Sequence, residues 1–130
     1  MKVVFDTNIF ISALVIPGGQ AERAIRRITE GTDTLLISKP IIGEILSVLS
    51  RKFGRDSEAL SRVAVFLSDL ATIVNPAKRI HVLEDEADNR VIECAVGGRA
   101  DAIVTGDKEM LDLKEYLRIR IISLKEYLLS

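Results

Sequence analysis

One cysteine and one histidine are all the sequence holds of either residue, and those two scarcities remove whole classes of chemistry. A lone thiol, Cys94, makes no internal disulfide, and without a Cys/His cluster there is no ligand set for zinc. Cys94 falls in an apolar helical pattern and reads as a small core residue. His81 stands alone after Lys78, Arg79 and Ile80, so no mechanism that needs two histidines from one chain is open; it reads as structural or exposed. Long apolar runs are also missing. Nothing approaches the roughly 20 residues of a membrane span, and the apolar start is broken at Asp6 and Asn8, which a signal-peptide core would not tolerate. No membrane association and a cytoplasmic location are therefore expected. Charge of one sign is lacking too. The 18 basic residues nearly balance 19 acidic ones, which argues against a dedicated nucleic-acid wrapper and leaves room for local basic patches. With no repeat, linker or low-complexity stretch, residues 1–130 read as one domain, long enough to bury about two-thirds of the unfolded surface.

What is present is alternation. Val3, Val4 and Phe5 form a short β-branched and aromatic run, the composition of a strand covered on both faces, which stops at Asp6, Thr7 and Asn8. Gln20 to Glu30 has a helical period ended by Gly31, and residues 34–38 form a second strand. Pro40 opens a helix to about Phe53; Gly54 stops it, and a second runs from Asp56 or Ser57 to Leu70. Two helices without an intervening strand predict an αα-hairpin inserted in an alternating pattern. Strands follow at 72–75, 102–105 and 120–122, with helices at 86–96, 108–113 and 124–129. This order predicts a mostly parallel sheet with helices on both faces.

The acids fall at particular places in that pattern. Asp6 ends the first strand, where open parallel sheets bind ligands; the plain alternative is a helix cap. Glu44 lies just outside the edge of the apolar face of its helix, beside Val48, by the helical arithmetic of about 100° per residue. It is either a solvated boundary residue or leans over the sheet end. Asp88 projects onto the inward face defined by Val91, Ile92 and Ala95, in the first turn of its helix; its alternative is the acidic partner of a capping box led by Asp85. Asp107 follows a strand, Thr105 and Gly106, repeating the layout at Asp6, and its alternative is again a cap. Glu109 lies close enough in sequence to compete with Asp107. Four carboxylates gathered at one sheet edge would repel, and burying them unpaired costs several kcal/mol. A divalent cation resolves this, and oxygen-only ligands suit Mg²⁺ or Mn²⁺. Phosphodiester hydrolysis fits that equipment.

The segments Asp6–Ile9, Pro40–Glu44, Asp88–Ala95 and Val104–Asp107 resemble, in order and approximate spacing, those of the PIN domain. The resemblance spans essentially the whole chain. It implies a three-layer α/β/α fold with a mostly parallel central sheet of about five strands. It also implies a metal-dependent ribonuclease similar to the VapC-type toxins of prokaryotic toxin–antitoxin pairs. The acidic tetrad would map onto Asp6, Glu44, Asp88 and Asp107, with Asn8 and Thr105 at auxiliary polar positions and Glu109 as a second choice for the fourth ligand. Homodimerisation and silencing by an antitoxin peptide entering the acidic groove are also implied.

Two other readings share some features. A haloacid-dehalogenase-like phosphatase also begins on a strand-end aspartate, but needs a second one where Asn8 stands and an acid where Leu111 stands. A receiver-like module that binds metal or a partner without hydrolysis needs an acceptor aspartate where the 72–75 strand ends in Asn75. RNA reaching an acidic centre needs basic flanks, for which Arg51, Lys52, Arg55 and Lys108 are the candidates, solvated helix ends being their alternative. An apolar strip including Val63, Val65, Phe66 and Leu67 reads equally as core or as partner surface.

Overall fold

A computed structural model describes residues 1–130. The elements are β1 (Lys2–Phe5), α1 (Thr7–Val15), α2 (Gln20–Thr29), β2 (Thr34–Ser38), α3 (Lys39–Phe53), α4 (Ser57–Leu70) and β3 (Thr72–Val74). They continue with α5 (Glu86–Gly97), β4 (Ala102–Val104), α6 (Lys108–Leu113), β5 (Glu115–Tyr116), β6 (Ile119–Ile122) and α7 (Leu124–Leu129). The sheet order is β3-β2-β1-β4-β6-β5, parallel throughout except for β5. Val3, Val4, Phe5, Leu35, Ile37 and Ile103 are fully buried, as strands covered on both faces must be. The expected α/β architecture and αα-hairpin are thus present. Gly54, at φ 61°, ends α3 in the left-handed region, and the Asp56 carboxylate accepts from Ala59 N at 2.8 Å to cap α4.

Three features depart from the sequence reading. The sheet has a sixth strand, the two-residue β5, hairpinned onto β6 through Leu117 and Arg118, both at positive φ (47° and 69°). The chain between Asp6 and Gly18 is the helix α1, although Ile9, Phe10 and Ile11 are poor helix formers; all three are buried, and burial overrides propensity. The apolar strip of α4 divides: Leu67 is fully buried, whereas Val65 is 61% and Phe66 39% exposed.

Order of the strands about β1 creates the functional geography. From β1 the chain moves one way to β2 and β3, then returns to the other side for β4 and β6, so the direction reverses between β1 and β4. A crevice opens beyond the carboxyl ends of the strands at such a point. At the start of β2, the buried Asp33 carboxylate takes the Tyr127 hydroxyl at 2.7 Å and the Arg27 guanidinium at 3.1 Å, pinning α2 and α7 together.

The turn after α5 packs closely against β2 and β3 at Gly98. A Cβ on Gly98 would lie 2.6 Å from Leu36 Cδ1 and 2.9 Å from Val74 Cγ2. Gly98→Ala is expected to lower the unfolding free energy by about 1–3 kcal/mol, the usual range for overpacking, read as a lowered urea midpoint with an unchanged slope. An unchanged midpoint would show that β2 and β3 yield freely there.

Candidate active site

Asp6 is held at the reversal point by three elements at once. Its backbone N–H donates to Val104 O at 3.0 Å, extending the β1–β4 ladder one residue past the strands. One carboxylate oxygen accepts from Ile9 N at 3.2 Å and caps α1, while the other accepts the Thr105 hydroxyl. Thr105 is fully buried, and the same hydroxyl oxygen accepts from Asp107 N at 2.9 Å. A single side chain therefore ties the two acidic strand ends together. Asp107 in turn accepts from Met110 N at 2.9 Å and caps α6. The capping reading holds for both; Asp6 also lines a cleft together with Asp88, and Asp107 does not.

Asp88 behaves differently. The cap of α5 is Asp85, whose carboxylate accepts from Ala87 N at 2.8 Å; Asp88 makes no hydrogen bond, and the capping-box alternative does not occur. Asp88, half-buried, lines a cleft of about 210 Å³ with Asp6, Asn8, Glu44, Asp85, Arg51 and Lys52. Glu44 is half-buried as well and makes no hydrogen bond or ion pair. Its helix carries it, Val48 and Arg51 into the cleft in successive turns, so the boundary position on the wheel faces the site. Neither Asp107 nor Glu109 lines the cleft; the Glu109 carboxylate accepts from Glu84 N at 3.1 Å. Arg55 lies beyond the end of α3, and Lys108 begins α6 exposed to solvent; neither lines the cleft. Asp85 is the cleft acid that sequence reasoning assigned only to capping.

The electrostatics of this cluster are unbalanced. None of the eight ion pairs in the protein involves Asp6, Glu44, Asp88 or Asp107. Burial pushes the Asp6 carboxyl up, only partly offset by the Thr105 hydroxyl and nearby backbone N–H groups. Burial also raises Asp88, and the charges of Asp85, Asp107, Asp6 and Glu109 add to it, giving a pKa of about 7. As the side chains lie, no three of the acids stand close enough to hold one ion together. The donor set nevertheless fits a hard cation: every donor is oxygen, the excess charge is negative, and Glu44 and Asp88 have no competing partner.

Remaining sequence expectations resolve simply. Cys94 is buried in the core, which pushes its thiol up to about 12. His81 is exposed, its Nδ1 2.7 Å from a Glu86 carboxylate oxygen.

The raised Asp88 pKa has a definite sign in the stability. The folded chain binds this proton more tightly than the unfolded chain, so ionisation of Asp88 costs nothing near pH 4 and progressively more as pH rises to 7. Asp88→Asn is expected to stabilise the metal-free protein at pH 8 by about 1–2 kcal/mol after solvent screening of this half-exposed group, with no gain at pH 4. Urea unfolding in chelator at the two pH values checks this; equal effects at both would contradict a strained carboxylate.

Known proteins share this fold. The chain is 36% identical to an uncharacterized protein, MJ1680, of Methanocaldococcus jannaschii, over 96% of this chain and 84% of that one. Its fold is similar to VapBC2 of Rickettsia felis, solved on a promoter DNA fragment, with a TM-score of 0.68, 14% identity and coverage of 95% and 98% of the two chains. VapBC-1 of nontypeable Haemophilus influenzae gives 0.68, 15%, 96% and 99%. VapC20 of Mycobacterium tuberculosis, a toxin that cleaves the sarcin–ricin loop, gives 0.59, 16%, 91% and 98%. The PIN-domain family model matches residues 2–109, from the first strand past the last of the four acids. The chain belongs to the PIN-domain family, in the fold that the VapC toxins share.

Proposed function

We propose that residues 1–130 are a single nuclease domain, a Mg²⁺- or Mn²⁺-dependent endoribonuclease that acts in the cytoplasm as the toxin of a toxin–antitoxin pair. The observation that carries this reading is the gathering of Asp6, Glu44 and Asp88 in one cleft, beside Asp107, with no cation of the protein paired to any of them. Family membership and the likeness to an RNA-cleaving toxin support it, the latter at the level of fold.

Asp6, Glu44, Asp88 and Asp107 would hold the metal, with Glu109 at the rim beside Asp107. The bound ion would supply polarisation of a phosphoryl oxygen and a hydroxide near neutral pH. Thr105 keeps Asp6 oriented, and its hydroxyl supplies the hydrogen bond that favours the charged carboxylate against burial. Asn8, exposed at the cleft, offers an amide to orient water or a phosphate oxygen. Arg51 and Lys52 stand two turns along α3 from Glu44, about 10 Å away by helix rise, and neutralise RNA phosphates flanking the cut. Arg55 and Lys108 extend that basic rim outside the cleft. No helix is long and apolar enough to cross a membrane.

The antitoxin reading has its own support. A groove of about 300 Å³ lies between α1, α2 and α4, lined by Phe10, Leu14, Pro17, Ile25, Phe66 and Leu67. An amphipathic antitoxin segment would seat apolar anchors there. A homodimer completes this reading.

Two outcomes test the nuclease. Purified protein is expected to cut mixed structured and unstructured RNAs with Mg²⁺ or Mn²⁺ and not in chelator. Asp6→Asn, shown to be folded, is expected to lose at least about 100-fold, the scale on which a removed electrostatic group is felt. Cleavage surviving both chelator and Asp6→Asn would sink the proposal. Replacing Arg51 and Lys52 by alanine together is expected to raise KM more than it lowers kcat, and to flatten the salt dependence of RNA binding by about one to two phosphate contacts. An unchanged salt slope would remove these two residues from the RNA path.

A further inference from the structure

The segment from Ile80 to Glu84 belongs to no strand or helix, yet five of its backbone groups are satisfied by α5 and one by α6. Ile80 N donates to a Glu93 carboxylate oxygen at 2.8 Å, and Ile80 O accepts from Arg90 at 3.4 Å. Val82 N and Leu83 N both donate to Asn89 Oδ1, at 3.1 and 2.9 Å, and Leu83 O accepts from Asn89 Nδ2 at 2.8 Å. Glu84 N then donates to Glu109 at 3.1 Å. Side chains from one helical stripe thus replace the ladder a neighbouring strand would provide. The stripe is buried, unlike an ordinary polar helix face: Asn89 is 0% and Glu93 5% exposed.

This strap ends where the acidic cleft begins. Immediately after Glu84, Asp85 caps α5 and lines the cleft, and Asp88 follows one turn later. We propose that Asn89 is a positioning residue of the acidic centre, holding the strap so that Asp85, Asp88 and Glu109 keep their places around the cation. The proposal rests on the reading of the cleft as a metal centre. Only one orientation of the Asn89 amide satisfies its neighbours, because it must accept from two N–H groups and donate to a carbonyl. An aspartate there keeps the accepted bonds and the volume but turns an acceptor oxygen toward Leu83 O and Glu86. An alanine removes the partner of both N–H groups, and either change loosens the strap from which the first turn of α5 starts.

The test titrates Mn²⁺ into wild type, Asn89→Ala and Asn89→Asp, reading free ion by electron paramagnetic resonance, with amide exchange followed at Val82 and Leu83. Ile119→Ala, a core cavity at the opposite end of the sheet, serves as a control for lost stability. Both Asn89 variants are expected to bind Mn²⁺ about 10-fold or more weakly, the scale on which outer-shell partners tune a metal site, with faster exchange at Val82 and Leu83 in Asn89→Ala, which alone removes their acceptor. Ile119→Ala should leave the affinity unchanged. Should Asn89→Ala not fold, Asn89→Asp decides alone. Affinity within twofold of wild type in a folded Asn89 variant, where Asp88→Asn loses the ion, overturns the positioning role while leaving the metal centre intact. A wild type that binds no Mn²⁺ overturns the metal centre and this role with it.

Discussion

The Thr105 hydroxyl, buried where the strand order reverses, is the contact on which the site's geometry depends. It donates to Asp6 at the end of β1 and accepts from Asp107 N beyond β4, so both acidic turns are referenced to one oxygen atom. The chain leaves β1 and β4 to opposite sides, and the crevice between them is the place where helices from other parts of the sequence can bring further groups. There α3 carries Glu44 toward the cleft and α5 carries Asp88. A valine at position 105 would fill the same space while leaving an Asp6 oxygen and Asp107 N without this partner, so the chemistry of the residue matters here and not only its shape.

Two buried aspartates show how the same residue serves opposite ends. Burial alone would push the Asp33 carboxyl up, but hydrogen bonds and charge from the Met1 amino group, with the Tyr127 hydroxyl and Arg27, hold it below its ordinary value. That carboxylate binds elements together and contributes stability. Asp6 is buried with hydrogen bonds but no cationic partner, and its carboxyl is raised. A structural aspartate is surrounded until its charge is answered; Asp6 and Asp88 leave theirs unanswered at a cost to the fold, which under the proposed function is the condition for attracting a cation.

Much of this arrangement is legible in the sequence, and the exceptions have physical causes. Strands such as Val3–Phe5 announce themselves because burial on both faces demands continuous β-branched and aromatic residues. Asp88 is placed by helical arithmetic, since its neighbours fix which way the helix faces, whereas Glu44 falls just outside the edge of its face and stays open between solvent and cleft. By contrast, α1 is hidden because Ile9, Phe10 and Ile11 suit a strand as well as a buried helix, and only tertiary packing decides. The β5–β6 hairpin is hidden because Leu117 and Arg118 take positive φ without the Asn or Gly that usually marks such a turn. The strap is hidden for another reason. Its backbone is satisfied by side chains, and Asn89 or Glu93 read alone is indistinguishable from a polar residue facing water.

Capping and site roles, set against each other when the sequence is read alone, are compatible in three dimensions under the proposed function. A carboxylate has two oxygens and roughly four lone-pair positions, and a cap uses one of them. Asp6 Oδ1 accepts from Ile9 N, and Asp107 Oδ2 accepts from Met110 N, which leaves Asp107 Oδ1 uncommitted. The cap fixes the side-chain torsions and so removes in the folded chain the entropy that ligand binding would otherwise have to overcome. Asp88 has no such tether. Its orientation comes from the helix that bears it, and the helix takes its own starting point from Asp85 and the strap, which is why a residue facing away from the cleft can govern one that faces into it.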